Sequence, residues 1–310
     1  MFGDQRRVKS LEFTVYSLQL RGARLDLSRS RRYNIFMDNE ALRQLAFSHG
    51  FAAAYFTEPP RYRDEELIKN SRDGHIIWDA SSLPFDVACI LVRAYAPYRP
   101  TERIPSYYIN SNMSYHEAVA LAKELESMGV SCRRAELPVK SLLFDNDIAI
   151  PLKSSLAAIP PFGTRIAVQC MLLASSEGHR FVPEEYSIAA ERLCDTCHRC
   201  RNACPAGAIT ENGYEVTRCM RYYMDGADYP DWVYKIQRTH IGCEVCQQVC
   251  PYNAALGFGE PSFEEREAYD LQRLAAGDTK AARLLVGKNM TGNGKLQKEA
   301  INFLNKEKKK

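Results

Sequence analysis

Seven of the chain's 11 cysteines fall in two short runs, CDTCHRCRNACP (Cys194–Pro205) and GCEVCQQVCPYN (Gly242–Asn253), and Cys219 lies between them. Thiols grouped so closely serve one of three chemistries: disulfide cross-linking, zinc binding or iron–sulfur ligation. Disulfides fit poorly, because Cys194, Cys197 and Cys200 are too close together for all three to find local partners. Zinc takes four thiolate or imidazole ligands, usually from two separated C-x-x-C pairs, and the second run could supply one pair. The first run instead reads C-x-x-C-x-x-C-x-x-x-C-P. At that spacing three thiolates hold one [4Fe–4S] cube and the fourth reaches across to another.

A second cube needs three further ligands. Cys243 and Cys246 provide two, Cys250 before Pro251 should cross back to the first cube, and Cys219 is the one cysteine left in the region. The spacing therefore predicts one cluster on Cys194, Cys197, Cys200 and Cys250. It predicts a second on Cys204, Cys219, Cys243 and Cys246. Structural zinc is the competing reading. Cys89, Cys132 and Cys170 lie in apolar contexts and read as core residues. His198 and His240 lie near the ligands, and with eight thiolates at hand they read as exposed groups or as neighbours of the ligands.

Those clusters need a scaffold. A hydrophobic content of 45% with 25% charged residues fits an ordinary globular protein, and no apolar stretch reaches the roughly 18 residues of a membrane span. The longest candidate, IAVQCMLLA (Ile166–Ala174), is half that, and the N-terminus lacks a signal-peptide pattern. Reduced thiols and no leader point to the cytoplasm. Residues 1–37 form a basic extension, with eight Lys/Arg against three acids before Met37. It reads as a solvated arm, a leader ahead of Met37, or a dock for nucleic acid.

From Asp38 the pattern becomes regular. DNEALRQLAFSHG predicts a helix capped by Asp38 or Asn39, with FAAAYF, VACILVRAYA (Val87–Ala96) and IAVQCMLLA as strands. SYHEAVALAKELESMG predicts a helix opened by a Ser114/Glu117 capping box and ended by Gly129. Helices alternating with strands predict an α/β or α+β domain over 38–189. A ferredoxin-like double-cluster module over 190–259 and a short helical C-terminal segment over 260–310 follow. In that last segment, 261–289 reads as helix–turn–helix and Leu296–Lys306 as a final helix.

The order C-x-x-C-x-x-C-x-x-x-C-P, a lone cysteine, then G-C-x-x-C-Q-x-V-C-P-x-N resembles the epoxyqueuosine reductase family, cobalamin-dependent iron–sulfur enzymes related to reductive dehalogenases. YYINSNMSYHEAVALAKEL is similar to that family's segment around a Tyr-His pair, here Tyr115 and His116. SSLAAIPPFGTRIAVQCMLLA is similar to its glycine-rich stretch near the cofactor, and GNGKLQKEAINFLNK to the start of its C-terminal helical repeats. The resemblance implies the last step of queuosine synthesis in tRNA, with electrons passing from the clusters to a base-off cobalamin. It implies cofactor contacts at Tyr115, His116 and Gly163, and an external donor of flavodoxin or ferredoxin type. Two departures stand out. The family's acid position carries Ala135, with Glu136 beside it, and a Gly-Trp-x-Gly-Lys pattern is replaced around Gly163.

Three functions compete on this evidence. The chain is a cobalamin-dependent reductase, a corrinoid-free electron-transfer protein, or a reductive dehalogenase. Corrinoid binding separates the second from the others, and tRNA binding separates the first from the third.

Overall fold

The computed structural model describes residues 36–64, 75–188, 192–223, 229–288, 290–292 and 294–308. The basic arm before Phe36 lies outside the described residues. Two short pairs, parallel β1 (Met37–Asp38) with β8 (His179–Arg180) and antiparallel β5 (Ile150–Pro151) with β6 (Ala157–Ala158), accompany a larger sheet. This sheet of four strands forms the first layer: β2 (Ala53–Thr57), β3 (Val87–Ala94), β7 (Ile166–Ala174) and β4 (Ser131–Arg134), in the order β2-β3-β7-β4. Every neighbouring pair is antiparallel, so the domain is α+β.

Strand β3 shows why the sheet sits mid-layer. Successive side chains point to opposite faces. Val87, Cys89 and Leu91 join one core with helices α1 (Asn39–Ser48) and α2 (Ser106–Ser127). Ala88, Ile90 and Val92 join another with Leu137, Leu142, Leu143 and Ile159 beneath α3 (Val139–Asp145). All six β3 residues are fully buried. Full burial of a Val- or Leu-sized side chain contributes about 1.5–3 kcal/mol, so this strand anchors both layers. Cys89 and Cys170 are buried within the two cores, one in each, and neither forms a disulfide.

Helix α1 starts where the sequence indicated, with the Asp38 carboxylate accepting from the Ala41 N–H at 2.9 Å. Helix α2 does not. It begins at Ser106, eight residues before Ser114, so the Ser114/Glu117 capping box is not formed. Ser114 Oγ instead donates to the Ser111 carbonyl at 2.8 Å, inside the helix. The extra turns form because Tyr108 and Ile109 are buried in a third core, away from the sheet, shared with Met220, Val233, Ile241, Leu274 and Leu296. One helix thus ties the sheet domain to the cysteine-rich module.

In that module the regular elements are short: α4 (Arg199–Ala203), the hairpin β9–β10 (Ile209–Thr210 and Gly213–Tyr214), α5 (Met220–Tyr223), α6 (Asp231–Ile236) and α7 (Val245–Gln248). The C-terminal segment is α8 (Phe263–Ala268), α9 (Leu271–Ala275), α10 (Lys280–Val286) and α11 (Lys295–Glu307). The expected helix–turn–helix is three helices, because Asp270 caps α9 through the Arg273 N–H at 2.9 Å and interrupts the first. Helix α8 carries a full capping box, Ser262 with Glu265, that the sequence reading passed over. Among the described residues no helix is long and apolar enough to cross a membrane.

Candidate metal centre and the cavity beside it

The eight cysteines are set by turns and short helices rather than by long elements. Cys194 and Cys197 close a turn in which the Cys197 N–H donates to the Cys194 carbonyl at 3.2 Å, and Cys200 follows on α4. Cys204 leaves that helix in an extended conformation before Pro205. Cys246 sits on α7, and Cys250 precedes the turn at Pro251–Asn253.

Cys194, Cys197, Cys200 and Cys250 line one narrow cavity together with Leu152, Ser154 and Tyr252. Cys204, Cys219, Cys243 and Cys246 line another of about 690 Å³. Among the described residues no three His, Cys, Asp or Glu side chains converge tightly enough to hold a single metal ion. Backbone N–H groups already face the sulfurs. The Lys153 N–H donates to Cys194 Sγ at 3.4 Å, and the Ala208 N–H donates to Cys204 Sγ at 3.3 Å. Such bonds tune the potential of an iron–sulfur cluster. Lys153 Nζ also donates to the Asp195 and Cys197 carbonyls at 2.8 and 3.2 Å, pinning this loop to the sheet domain.

Burial, then the neighbouring thiols, pushes Cys246 up to about 12 and Cys243 to about 11. Thiols so placed stay protonated by themselves, and binding iron as thiolates releases their protons. Both quartets therefore suit a polynuclear cationic core bound by sulfur.

The larger cavity lies between the module and the sheet domain. Its far wall is Val139, Leu143, Leu156, Ala157, Ile166 and Val168, and its polar groups include Tyr107, Lys140, Ser154, Ser155 and Arg221. Among the described residues no carboxylate lines it. Lys140 Nζ donates to the Ser155 carbonyl at 2.6 Å, and burial, then the charge of Arg221, lowers its pKa. The Arg221 guanidinium stacks 4.7 Å from the Tyr107 ring and 5.0 Å from that of Tyr108. Neither cation stands out in the sequence, because both reach the cavity only through tertiary packing.

Tyr115 and His116 are not among the residues lining that cavity. Tyr115 is exposed, with the Arg134 guanidinium 4.7 Å from its ring, and His116 lines a surface recess with Ser48, Gly50 and Glu117. Ala135 is buried in the sheet domain's second core, and Glu136 pairs with Arg134 at 2.7 Å with its carboxylate more than half exposed. Gly163 lies at φ +58°, where a Cβ would stand 2.1 Å from Asn253 Oδ1 and 2.6 Å from the Tyr252 carbonyl oxygen. The chain that closes on Gly163 is thus the cysteine module itself.

That contact belongs to a buried lattice which the motif's wording contained without revealing its role. Asn253 Oδ1 accepts from the Thr164 N–H at 2.8 Å, and Asn253 Nδ2 donates to Thr164 Oγ1 at 2.8 Å. Gln247 Nε2 donates to the Thr164 carbonyl at 3.1 Å. The buried Arg165 donates from Nη1 to Glu244 Oε2 at 2.7 Å and to Gln247 Oε1 at 2.8 Å. His198 is exposed as expected, whereas His240 is fully buried.

Residues 193–253 match a family described as 4Fe-4S double cluster binding domain, so this module binds two [4Fe–4S] clusters. The curated epoxyqueuosine reductase of Listeria monocytogenes is 29% identical over 109 residues, 34% of this chain and 27% of the relative. The matched part thus spans about a quarter of that relative's length. A solved Bacillus subtilis epoxyqueuosine reductase, with its catalytic loop swung out of the active site, aligns with a TM-score of 0.64. It shares 21% identity and covers 86% of this chain and 80% of its own. An epoxyqueuosine reductase solved with a tRNA-Tyr stem loop carrying epoxyqueuosine aligns with a TM-score of 0.62 at 21% identity, again over 86% and 80%. At that identity the likeness is one of fold.

Proposed function

We propose that the chain is a cytoplasmic iron–sulfur reductase of the epoxyqueuosine reductase kind, which passes electrons through two [4Fe–4S] clusters to cobalamin and acts on a tRNA nucleoside. Cys194, Cys197, Cys200 and Cys250 would hold the first cluster, and Cys204, Cys219, Cys243 and Cys246 the second. The observation that carries the reading is that the second quartet opens onto the cavity shared with the sheet domain.

That cavity fits the cofactor chemically. Its apolar wall suits the flat face of a corrin, and Tyr107, Lys140, Ser154, Ser155 and Arg221 can meet the amides around the rim. Bound cobalamin supplies a strongly reducing cobalt, and the protein's part is to position it and to deliver protons. With Ala135 at the family's acid position, Lys140 Nζ is a cavity group able to give a proton, and its lowered pKa suits it to that better than the phenols of Tyr107 and Tyr214. A positioned acid contributes about 10²–10⁴-fold to rate. Lys140→Gln should therefore keep both clusters while lowering turnover at least about tenfold. In the unmodified chain activity should fall as pH rises through the lowered lysine pKa, and that alkaline limb should vanish in the variant. An unchanged profile would remove Lys140 from this role.

Cys250 also borders a surface recess with Arg199, Asn202 and Gln248. This supports electron delivery to the first cluster by a small acidic carrier of flavodoxin or ferredoxin type. A second reading, a corrinoid-free electron-transfer protein, is favoured by the seal of Asn253 and Tyr252 over Gly163 and by the missing acid. Titrating the anaerobically reconstituted chain with cob(II)alamin decides between them. A base-off cobalt EPR signal at one equivalent supports the reductase and leads to an assay on tRNA. No binding alongside intact clusters supports the carrier.

A further inference from the structure

The cavity between the cysteine module and the sheet domain holds more positive charge than its walls balance. Lys140 on α3 and Arg221 on α5 both line it, and among the described residues no carboxylate does. The Arg221 guanidinium is held by rings instead, 4.7 Å from the centre of Tyr107 and 5.0 Å from that of Tyr108. Among the described residues no carboxylate forms an ion pair with it. Lys140 Nζ donates to the Ser155 carbonyl at 2.6 Å and to Ser155 Oγ at 3.3 Å. Charges enclosed by apolar walls are normally paired, so this arrangement calls for an anion.

The two cations also act on each other. Burial, then the Arg221 charge, lowers the Lys140 pKa, the direction expected of like charges that share one space. An anion between them relieves both. Corrin amides are neutral, and uncharged donors such as Ser154 and Ser155 meet them equally well. Two full charges exceed what a corrin rim requires.

The wall beside Lys140 is shaped at a conformational cost. Ser155 lies at φ +60°, in the left-handed region that residues with a Cβ seldom adopt. Its N–H donates to the Leu152 carbonyl at 2.8 Å, and the Leu152 N–H donates to the Leu156 carbonyl at 3.0 Å, which fixes the turn. Strained backbone of this kind gathers at binding sites, where it holds a group in place. Here it keeps the Ser155 hydroxyl beside the Lys140 ammonium. A cation and a hydroxyl donor thus stand together on the sheet-domain side of the cavity, with Arg221 contributed by the module.

We propose that Lys140, Ser155 and Arg221 form a binding site for a phosphodiester that enters this cavity. Guanidinium, ammonium and hydroxyl donors are the groups that recognise phosphate oxygens. Two ligands of the function proposed above carry a phosphodiester: the corrinoid, in its nucleotide tail, and an RNA, in its backbone. The inference rests on that function for the identity of the ligand, and on the uncompensated charge of the cavity for the site itself.

The test is isothermal titration calorimetry of the full reconstituted chain, without corrinoid, with inorganic phosphate at constant ionic strength. Saturable binding is expected. Loss of one charged hydrogen-bond donor should weaken it about tenfold or more, in Lys140→Met and equally in Arg221→Met. Lys140 stands outside the cysteine module, so its variant keeps the test readable if Arg221→Met fails to hold its iron. Displacement of phosphate by cob(II)alamin but not by cob(II)inamide, which lacks the nucleotide tail, assigns the site to the corrinoid. Displacement by an RNA stem loop assigns it to the substrate. Phosphate bound as expected by a chain that takes up neither corrinoid nor RNA upholds the site and removes the function proposed above. No saturable phosphate binding in the unmodified chain, or equal binding in Lys140→Met, overturns the inference and leaves the two cations as counter-charges to the second cluster.

Discussion

Cys246→Ala should lower the iron content of anaerobically reconstituted protein from about eight to about four atoms per chain. Burial raises the Cys246 thiol first, and Cys243, Cys219, Cys200 and Cys204 then act on it. Three thiolates from different turns hold an iron–sulfur cube poorly, so one deletion should empty the second site while the first quartet, around its own narrow cavity, stays filled. Because metal binding supplies folding free energy outright in small metal-organised modules, the same change should also lower the thermal midpoint of the module. Cys89→Ala is the internal control. Cys89 is fully buried but lies in the sheet core, so the variant should keep about eight irons and lose about 1 kcal/mol or less as a small core truncation. Equal iron in the two variants would remove Cys246 from the ligand set.

The cysteines were legible because cluster ligation is a local constraint. Two-residue spacers and a following proline carry the geometry in the chain itself. The strands were legible for a similar reason, since runs such as Val87–Val92 can only be buried on both faces. Their antiparallel direction was not, because a doubly buried strand reads the same either way. Ser114 shows the limit of local signals. A Ser-x-x-Glu pattern marks a helix start only if nothing upstream continues the helix, and here Tyr108 and Ile109 do so through contacts with the distant C-terminal core. The surroundings of Lys140 and Arg165 were illegible because Arg221, Glu244 and Gln247 lie far along the chain from them. Tyr115, His116 and Gly163 rest on a resemblance that is faint outside the cysteine region. In this structure the first two face outward, and the third faces Asn253.

Arg165→Met should destabilise the chain by about 3–5 kcal/mol and loosen the second cluster. Its side chain is 2% exposed, and Glu244, its partner, is 12% exposed. Removing the guanidinium leaves a nearly buried carboxylate without its counter-charge, and that is costlier than the ion pair was favourable. Glu244 also accepts from the Tyr107 N–H at 3.2 Å and stands one residue after Cys243 and two before Cys246, so relaxation there reaches both proposed ligands. For a domain of this size the loss corresponds to a fall in thermal midpoint on the order of 10 °C. Gly163→Ala attacks the same junction sterically, since the added methyl meets the Tyr252 backbone as well as the Asn253 side chain, at a positive φ besides. Differential scanning calorimetry with a parallel iron assay distinguishes the causes. If both variants lose iron at a lower temperature than they lose sheet structure, the junction serves chiefly to hold the cluster module. If sheet and iron are lost together, the two layers unfold as one unit through α2. Unchanged midpoints in both variants would show that the lattice around Thr164 contributes nothing to either.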